Sequence, residues 1–154
     1  MIKRKVKICV LDHKCKPSQQ GNWIDLKCAI KVELKGGFEY YQLPLGIKTE
    51  LPKWYKAEVK PRSSTFKHYS ILQTNSPGEI EANYCEEWLF PCISVLSGNY
   101  ISSGERICQM QIKLREDAPW YMKILDLFTK IELKYVDEEE IKGNRKGFGS
   151  TGIN

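Results

Sequence analysis

The sequence lacks the features that would mark a zinc protein, a membrane protein or a nucleic-acid-binding protein. Its six cysteines include no C-x-x-C pair and its only histidines are His13 and His68, so no metal-ligand pattern is present. No run approaches the ~18 apolar residues that a membrane helix needs. The net charge of +5 includes no long basic block, which favours a small anionic ligand at least as much as nucleic acid. We therefore expect no metal bound directly by side chains, no membrane partner and no nucleic-acid partner.

The first residues also lack the apolar stretch of a signal peptide. Residues 1–6 mix lysine and arginine with apolar side chains, so we expect a cytoplasmic protein. The scattered cysteines fit the same compartment, because reduced cysteines usually behave as small core residues.

What the sequence does contain is a pattern of short, alternating apolar segments separated by turn residues. Its 154 residues suffice for one domain with a substantial core. The alternation predicts an all-β fold. We expect strands at residues 6–10, 29–34, 38–43, 47–51, 55–60, 71–72, 88–96 and 106–114. So many short strands predict a sandwich, a jelly roll or a barrel.

Two segments depart from the strand pattern. In residues 119–130, Ile124, Leu127 and Phe128 stand at helical spacing, so a short amphipathic helix competes with a strand. This segment either covers the core or presents a surface to a partner. The acidic run at residues 137–140 indicates a solvated turn.

The C-terminal residues 142–154 are rich in glycine, which allows a backbone to approach a ligand closely. Ser150 and Thr151 add hydroxyl donors, and Arg145 adds a charge suited to phosphate oxygens. Phe148, between two glycines, is placed to stack on a flat ring. The spacing is not that of a P-loop, so the segment is either a flexible arm that orders over a ligand or a disordered tail.

Two internal segments also suit ligand binding. Residues 61–64 place Arg62 beside two serines where a short helix starts, which predicts either an anion site or a plain helix N-cap. Residues 78–84 form a turn-flanked segment with Glu79 and Glu81 on one side.

Taken in order, five segments resemble the motifs of the trimeric dUTP pyrophosphatases (dUTPases), most closely those of the phage and prophage branch of Gram-positive bacteria. The segments are residues 23–26, 61–64, 78–84, 104–109 and 145–152. The resemblance covers nearly the whole chain. It implies a distorted β jelly roll (the dUTPase-like β-clip) with very little helix, formed by residues 1–141. It also implies that residues 142–154 are an arm closing an active site, in a homotrimer whose sites are shared between subunits.

The resemblance implies hydrolysis of dUTP to dUMP and pyrophosphate, by attack of water on the α-phosphorus. The cofactor would be Mg²⁺, held through the triphosphate and water. Glu81 would be the catalytic base, and Asp25 would either support the water shell of Mg²⁺ or orient Arg62. The substrate-binding positions that it implies are Ser63, Ser64, Asn75, Gly78, Ile80, Tyr84, Gln109, Arg145, Phe148, Gly149, Ser150 and Thr151.

These positions divide by the part of dUTP that each would contact. Asn75 and the backbone of residues 78–84 would recognise the uracil edge, and Tyr84 would pack under the deoxyribose and exclude a 2′-hydroxyl. Arg62, the two serines and Gln109 would contact phosphates. In the arm, Arg145, Ser150 and Thr151 would close over the β- and γ-phosphates while Phe148 caps the base.

The chain departs from the family at Glu81, where dUTPases normally have Asp. A displacement on the order of 1 Å can cost ~10²-fold in rate, so either the neighbouring backbone compensates or the enzyme is slow. Two alternatives therefore stay open: a slow or inactive dUTP-binding homologue that acts as a nucleotide-gated regulator of a protein partner, and a dCTP deaminase of the same superfamily. The stretch between Gln109 and Arg145 is also longer than usual in this branch.

Overall fold

Short β-strands make up most of the structure, a computed structural model that describes residues 1–20 and 22–143. Within these ranges the strands are β1 Ile2–Val10, β2 Ser18–Gln20, β3 Trp23–Lys27, β4 Val32–Leu34, β5 Glu39–Pro44, β6 Ile47–Glu50, β7 Tyr55–Pro61, β8 Ile71–Gln73, β9 Gly78–Ile80, β10 Leu89–Ser94, β11 Asn99–Ile101, β12 Arg106–Leu114 and β13 Thr129–Tyr135. The helices are α1 Thr65–Tyr69 and α2 Trp120–Asp126, with 3₁₀ turns at His13–Cys15 and Glu138–Glu140. The predicted all-β class is confirmed.

The strands form four sheets whose order departs from the order of the sequence. The largest has the order β2-β3-β12-β7-β9, and the others are β13-β1-β6, β5-β10-β8 and β11-β4. Strands that are distant in sequence are therefore neighbours: β1 pairs in parallel with β13, and β12 lies between β3 and β7. This arrangement brings three sequence segments of the candidate site together, since residues 23–26, 61–64 and 104–109 all belong to or adjoin β3, β7 and β12.

The predicted strands are largely confirmed, with differences where pairing partners set the ends. The strand expected at residues 106–114 is β12, with the same bounds. The one expected at residues 29–34 is limited to β4, because Ala29 donates instead to the Pro44 carbonyl oxygen at 2.8 Å. β13 was not predicted, although its residues alternate between polar and apolar, because its partner β1 is far away in the sequence.

The core lies between the sheets and contains the fully buried side chains of Trp88, Phe90 and Tyr55. The indole Nε1 of Trp88 donates to Thr49 Oγ1 at 3.2 Å, so its one polar group is satisfied. All six cysteines are free thiols, and five of them are buried. The prediction of reduced core cysteines is thus confirmed for all but Cys85, which is partly exposed.

The helical spacing in residues 119–130 is confirmed by α2, but the side that faces the core differs from the expectation. Met122 and Ala118 are buried and pack in one cluster with Tyr55. Ile124, Leu127 and Phe128, the residues that carried the pattern, are 50%, 80% and 60% exposed. The segment thus covers the core through Met122 and not through these three side chains: Ile124 is half exposed on the helix, and Leu127 and Phe128 follow its end at Asp126.

The acidic run at residues 137–140 is exposed and contains a 3₁₀ turn with a capping box at Asp137, so the predicted solvated turn is confirmed. In the described ranges, neither helix has the length and apolar character needed to span a bilayer.

Candidate active site

A cavity of about 260 Å³ opens beside β9 and contains most of the residues predicted to bind the base and sugar. Its wall includes five predicted positions, Asn75, Gly78, Ile80, Glu81 and Tyr84. Several of them come from one continuous stretch of chain, so the local sequence is enough to place them together.

The cavity wall is fixed by pairing at the edge of the largest sheet. Gly78 pairs with Val59 of β7, and Ile80, 8% exposed, pairs with Ala57. A Cβ atom at Gly78 would lie 3.0 Å from Gln73 Nε2. A larger residue at position 78 would therefore press on the Gln73 amide.

Tyr84 closes one side of the cavity. It is 6% exposed, and its hydroxyl donates to the carbonyl oxygen of Glu87 at 2.7 Å. Burial, with a smaller contribution from the charges of Glu86 and Glu87, raises the pKa of Tyr84 to about 12. The ring is thus held as a neutral wall, which suits packing against a sugar.

Two carboxylates line the cavity, and they differ in their partners. Glu79 lies 2.6 Å from Lys56 Nζ, which also lies 2.8 Å from Glu116. Hydrogen bonds to Glu116 and then Glu79 raise the pKa of Lys56, so the ion pair holds Glu79 in a structural role. Glu81 is exposed at the cavity and directly follows the end of β9, at the position predicted for the base.

A second cavity, of about 500 Å³, adjoins the end of β7 and suits an anion. Arg62 and Ser64 line it as predicted, together with Lys27, His68 and Arg106. The two cavities share no lining residue.

The backbone at residues 61–64 is held by Thr65 instead of by a serine cap. Thr65 Oγ1 accepts a hydrogen bond from Arg62 N–H at 2.9 Å and donates to the Ile107 carbonyl oxygen at 2.8 Å. Ser64 precedes α1, but its side chain makes no capping bond, so the plain N-cap interpretation is wrong for Ser64. Ser63 is exposed beside it.

Asp25 lies beneath the second cavity and binds two arginines. It is 2% exposed, with Oδ1 3.3 Å from Arg62 Nε and Oδ2 3.2 Å from Arg106 Nη1. Gln109 stands opposite Asp25 in the β12–β3 ladder, and its Nε2 donates to the Pro61 carbonyl oxygen at 3.2 Å. Of the two roles expected for Asp25, this burial and pairing favour the orientation of Arg62 over support of a metal's water shell.

Among residues 1–20 and 22–143, no group of three or more His, Cys, Asp or Glu is close enough to hold a metal ion. Magnesium held through phosphate oxygens and water needs no such group. The residues present are therefore compatible with Mg²⁺ that arrives with a triphosphate.

Arg145, Phe148, Gly149, Ser150 and Thr151 lie outside the described residues. The described chain ends at Gly143, where a Cβ atom would collide with Cys85 and lie 2.6 Å from the Asn83 carbonyl oxygen. The Cys85 thiol donates to the carbonyl oxygen of Lys142 at 2.8 Å. The first two residues of the predicted arm, Lys142 and Gly143, thus contact the chain on both sides of Tyr84.

The sequence did not reveal Gln73, Lys56 or Arg106 as parts of these sites. Arg106 lies within the segment 104–109, where its charge was a usable signal. Lys56 and Gln73 carry no such signal, because their partners are set by the pairing of β7 with β9 and by the approach of β8.

Comparison with known proteins shows a curated relative that is similar over most of the chain. No family model matches. The SPbeta prophage-derived deoxyuridine 5′-triphosphate nucleotidohydrolase of Bacillus subtilis (strain 168) is 39% identical over 137 residues, which cover 87% of this chain and 86% of the relative.

Two solved structures share the fold. A dUTPase variant from Staphylococcus bacteriophage 80alpha, from a study of control of virulence-gene transfer by phage dUTPases, has a TM-score of 0.65 at 15% identity, covering 74% of this chain and 92% of the other. A dUTPase variant from phage phi11 of S. aureus, described with a structural Mg(II) ion, has a TM-score of 0.64 at 14% identity, covering 74% of this chain and 93% of the other. These likenesses confirm the predicted jelly roll.

Proposed function

This chain belongs to the dUTPase family, and we propose that it hydrolyses dUTP to dUMP and pyrophosphate through attack of water on the α-phosphorus. The observation that carries the proposal is the cavity beside β9, which combines an amide, a buried tyrosine and a carboxylate on one wall. Asn75 and the backbone near Gly78 contact the uracil edge, and Tyr84 packs under the deoxyribose. The site of about 260 Å³ fits a nucleoside and leaves the triphosphate to extend beyond it.

Glu81 takes a proton from the attacking water as the new oxygen–phosphorus bond forms. The bond from the α-phosphorus to the bridging oxygen breaks, and pyrophosphate leaves with that electron pair. Arg62, held by Asp25, together with Ser63, Ser64 and Gln109, contacts the phosphates and offsets their charge. Mg²⁺ bound through the triphosphate would neutralise further charge on the phosphate oxygens.

Isotope labelling tests the bond that is broken. Hydrolysis in water enriched in ¹⁸O should place the label in dUMP and leave pyrophosphate unlabelled. Label in pyrophosphate instead would mean attack on the β-phosphorus and would contradict the proposed chemistry.

We also propose a homotrimer with shared active sites. It is supported by the separation of the two cavities, because residues of the phosphate site and of the base site line different spaces in one chain. A second copy of the chain would bring its Arg62 cavity to the Glu81 cavity of the first.

Subunit mixing tests this sharing. E81Q and R62Q proteins, each inactive alone, should regain about a quarter of wild-type activity when unfolded and refolded together at equal amounts, since random assembly places both intact residues at that share of sites. If both residues act within one chain, the mixture should stay inactive.

We propose that residues 1–141 form the catalytic domain and that residues 142–154 are the arm that completes the site. In this arm Arg145, Ser150 and Thr151 contact the β- and γ-phosphates, and Phe148, followed by Gly149, stacks on the base. The regulatory and dCTP deaminase alternatives are not favoured, since the curated relative is named a dUTP nucleotidohydrolase. A regulatory protein partner and a cytoplasmic location stay predictions.

A further inference from the structure

Gln73 lies at the end of β8 and reaches from there to both β7 and the base cavity. Its side-chain Nε2 donates to the Val59 carbonyl oxygen at 3.1 Å and to Asn75 Oδ1 at 3.2 Å. Gln73 is half-buried, whereas Asn75 is exposed at the cavity. One amide nitrogen thus connects the backbone of the sheet to the amide that faces the ligand.

The direction of these two hydrogen bonds is determined by the backbone. A carbonyl oxygen can only accept, so the Val59 carbonyl requires the NH₂ group of Gln73 on its side. The second hydrogen of that NH₂ group points at Asn75, which must therefore turn its oxygen toward Gln73. If the Gln73 amide were reversed, two carbonyl oxygens would face each other beside Val59, and Asn75 would lose its donor.

The consequence is that Asn75 directs its own NH₂ group away from Gln73. The contacts of Gly78 agree with this, because a Cβ atom there would lie 3.0 Å from Gln73 Nε2 and 3.5 Å from Asn75 Nδ2. The Asn75 amide nitrogen thus lies beside Gly78, at the wall of the base cavity.

We propose that Gln73 is a specificity-determining residue, which fixes the Asn75 amide as a donor and so selects uracil over cytosine. This inference rests on the proposed function, in which Asn75 contacts the base edge. Uracil carries an accepting oxygen at C4, where cytosine carries a donating amino group. A donor fixed at this position forms a hydrogen bond with the C4 oxygen of uracil. With cytosine, this donor and the amino group at C4 would face each other, and no hydrogen bond would form.

The proposal is tested by the ratio of kcat/KM for dUTP to kcat/KM for dCTP. Q73M keeps the length of the side chain but removes the donor, so the Asn75 amide is free to turn and accept from cytosine. Because a neutral hydrogen bond contributes about 1 kcal/mol and a tenfold change corresponds to about 1.4 kcal/mol, the ratio should fall roughly fivefold to tenfold. Q111M, at another half-buried glutamine that lies outside both cavities, is the matched control and should keep the wild-type ratio.

A double-mutant cycle separates orientation from packing. N75D presents an accepting oxygen on either side, so it should lower the ratio by itself. Since a carboxylate has no donor to orient, adding Q73M to N75D should leave the ratio unchanged. An equal effect of Q73M in both backgrounds would overturn the proposal, as would a Q73M ratio equal to that of wild type.

Binding provides a readout that does not depend on turnover. Calorimetry with dUMP and dCMP should show the same loss of preference in Q73M, and an unchanged preference would overturn the proposal. Failure of the wild-type protein to hydrolyse dUTP would instead reject the proposed function, and the two failures are therefore distinguishable.

Discussion

The carboxylate of Asp25 lies 3.3 Å from the Nε atom of Arg62, at a position where Asp25 is only 2% exposed. The two residues are distant in sequence and meet because β3 and β7 flank β12. The second carboxylate oxygen of Asp25 binds Arg106. The buried Asp25 carboxylate thus fixes the direction of Arg62 at the edge of the second cavity, while Arg106 holds the carboxylate in place.

We predict that D25N lowers kcat/KM for dUTP by roughly 10²-fold, because Arg62 loses the charge that orients it. The loss of stability should be smaller, about 1–2 kcal/mol, since both arginines are partly exposed and can turn to water. Steady-state kinetics and urea unfolding check the two effects. R106Q, which leaves the Arg62 contact intact, should cost less activity, and a D25N enzyme with wild-type kcat/KM would contradict the orienting role.

We predict that E81Q abolishes turnover while dUTP binding stays largely intact, because the amide keeps the shape of the side chain but cannot take a proton. Pyrophosphate release and calorimetry with dUTP measure the two properties. Equal loss of both would remove Glu81 from the role of base.

E81D tests whether this chain has adapted to the longer carboxylate. Because the position of Glu81 is set by the short pairing of β9 with β7, shortening the side chain should displace the carboxylate by about 1 Å and lower kcat by up to ~10²-fold. A gain in kcat would show that Glu81 is a disabling substitution.

We predict a pH-dependent loss of stability in E58Q. Glu58 is 8% exposed, and its interactions with the ammonium groups of Lys60, 2.6 Å away, and Lys113, 3.0 Å away, lower its pKa. Because this pKa is lower in the folded than in the unfolded protein, the ionised Glu58 carboxylate contributes to the free energy of unfolding. That contribution is complete above the unfolded-state pKa of 4.5 and is lost as the pH falls through the folded-state pKa. E58Q should therefore be less stable than wild type by about 1 kcal/mol at pH 7.

The difference between E58Q and wild type should shrink when unfolding by urea is repeated below pH 4.5. E86Q, at an exposed glutamate, serves as the control and should follow wild type throughout. A difference that stays constant with pH would mean that Glu58 contributes through packing and not through its charge.

We predict that a chain shortened to residues 1–142 keeps its assembly and loses hydrolysis. The buried core lies within residues 6–122, so removal of the last residues should leave folding and subunit contacts in place. Sedimentation and pyrophosphate release check the two properties. Full activity of the shortened chain would show that the C-terminal residues do not complete the site.

The local sequence was sufficient to predict those parts of the site whose residues are close together in the chain. The cavity residues from Gly78 to Tyr84 follow one another, and the bounds of β12 follow from its own pattern. The exposed face of α2 was not predictable, because helical spacing shows that one side is apolar but not which residues reach Tyr55.

Distant pairing set the remaining features. The parallel pairing of β1 with β13 joins the two ends of the chain, and nothing in either segment specifies the other. Gln73 likewise looks like an ordinary strand residue, and its role depends on the Val59 carbonyl oxygen of another strand. Contacts with the backbone of a distant strand cannot be predicted from the type of the residue that makes them.

The most direct measurement is pyrophosphate release from dUTP with Mg²⁺, beside dCTP, dTTP and UTP, with E81Q as the blank. We predict rapid turnover confined to dUTP in the wild-type protein and none in E81Q. Tight binding of dUTP with negligible turnover by the wild-type protein would contradict the account, because Glu81 would then lie in a nucleotide-binding site without acting as the catalytic base.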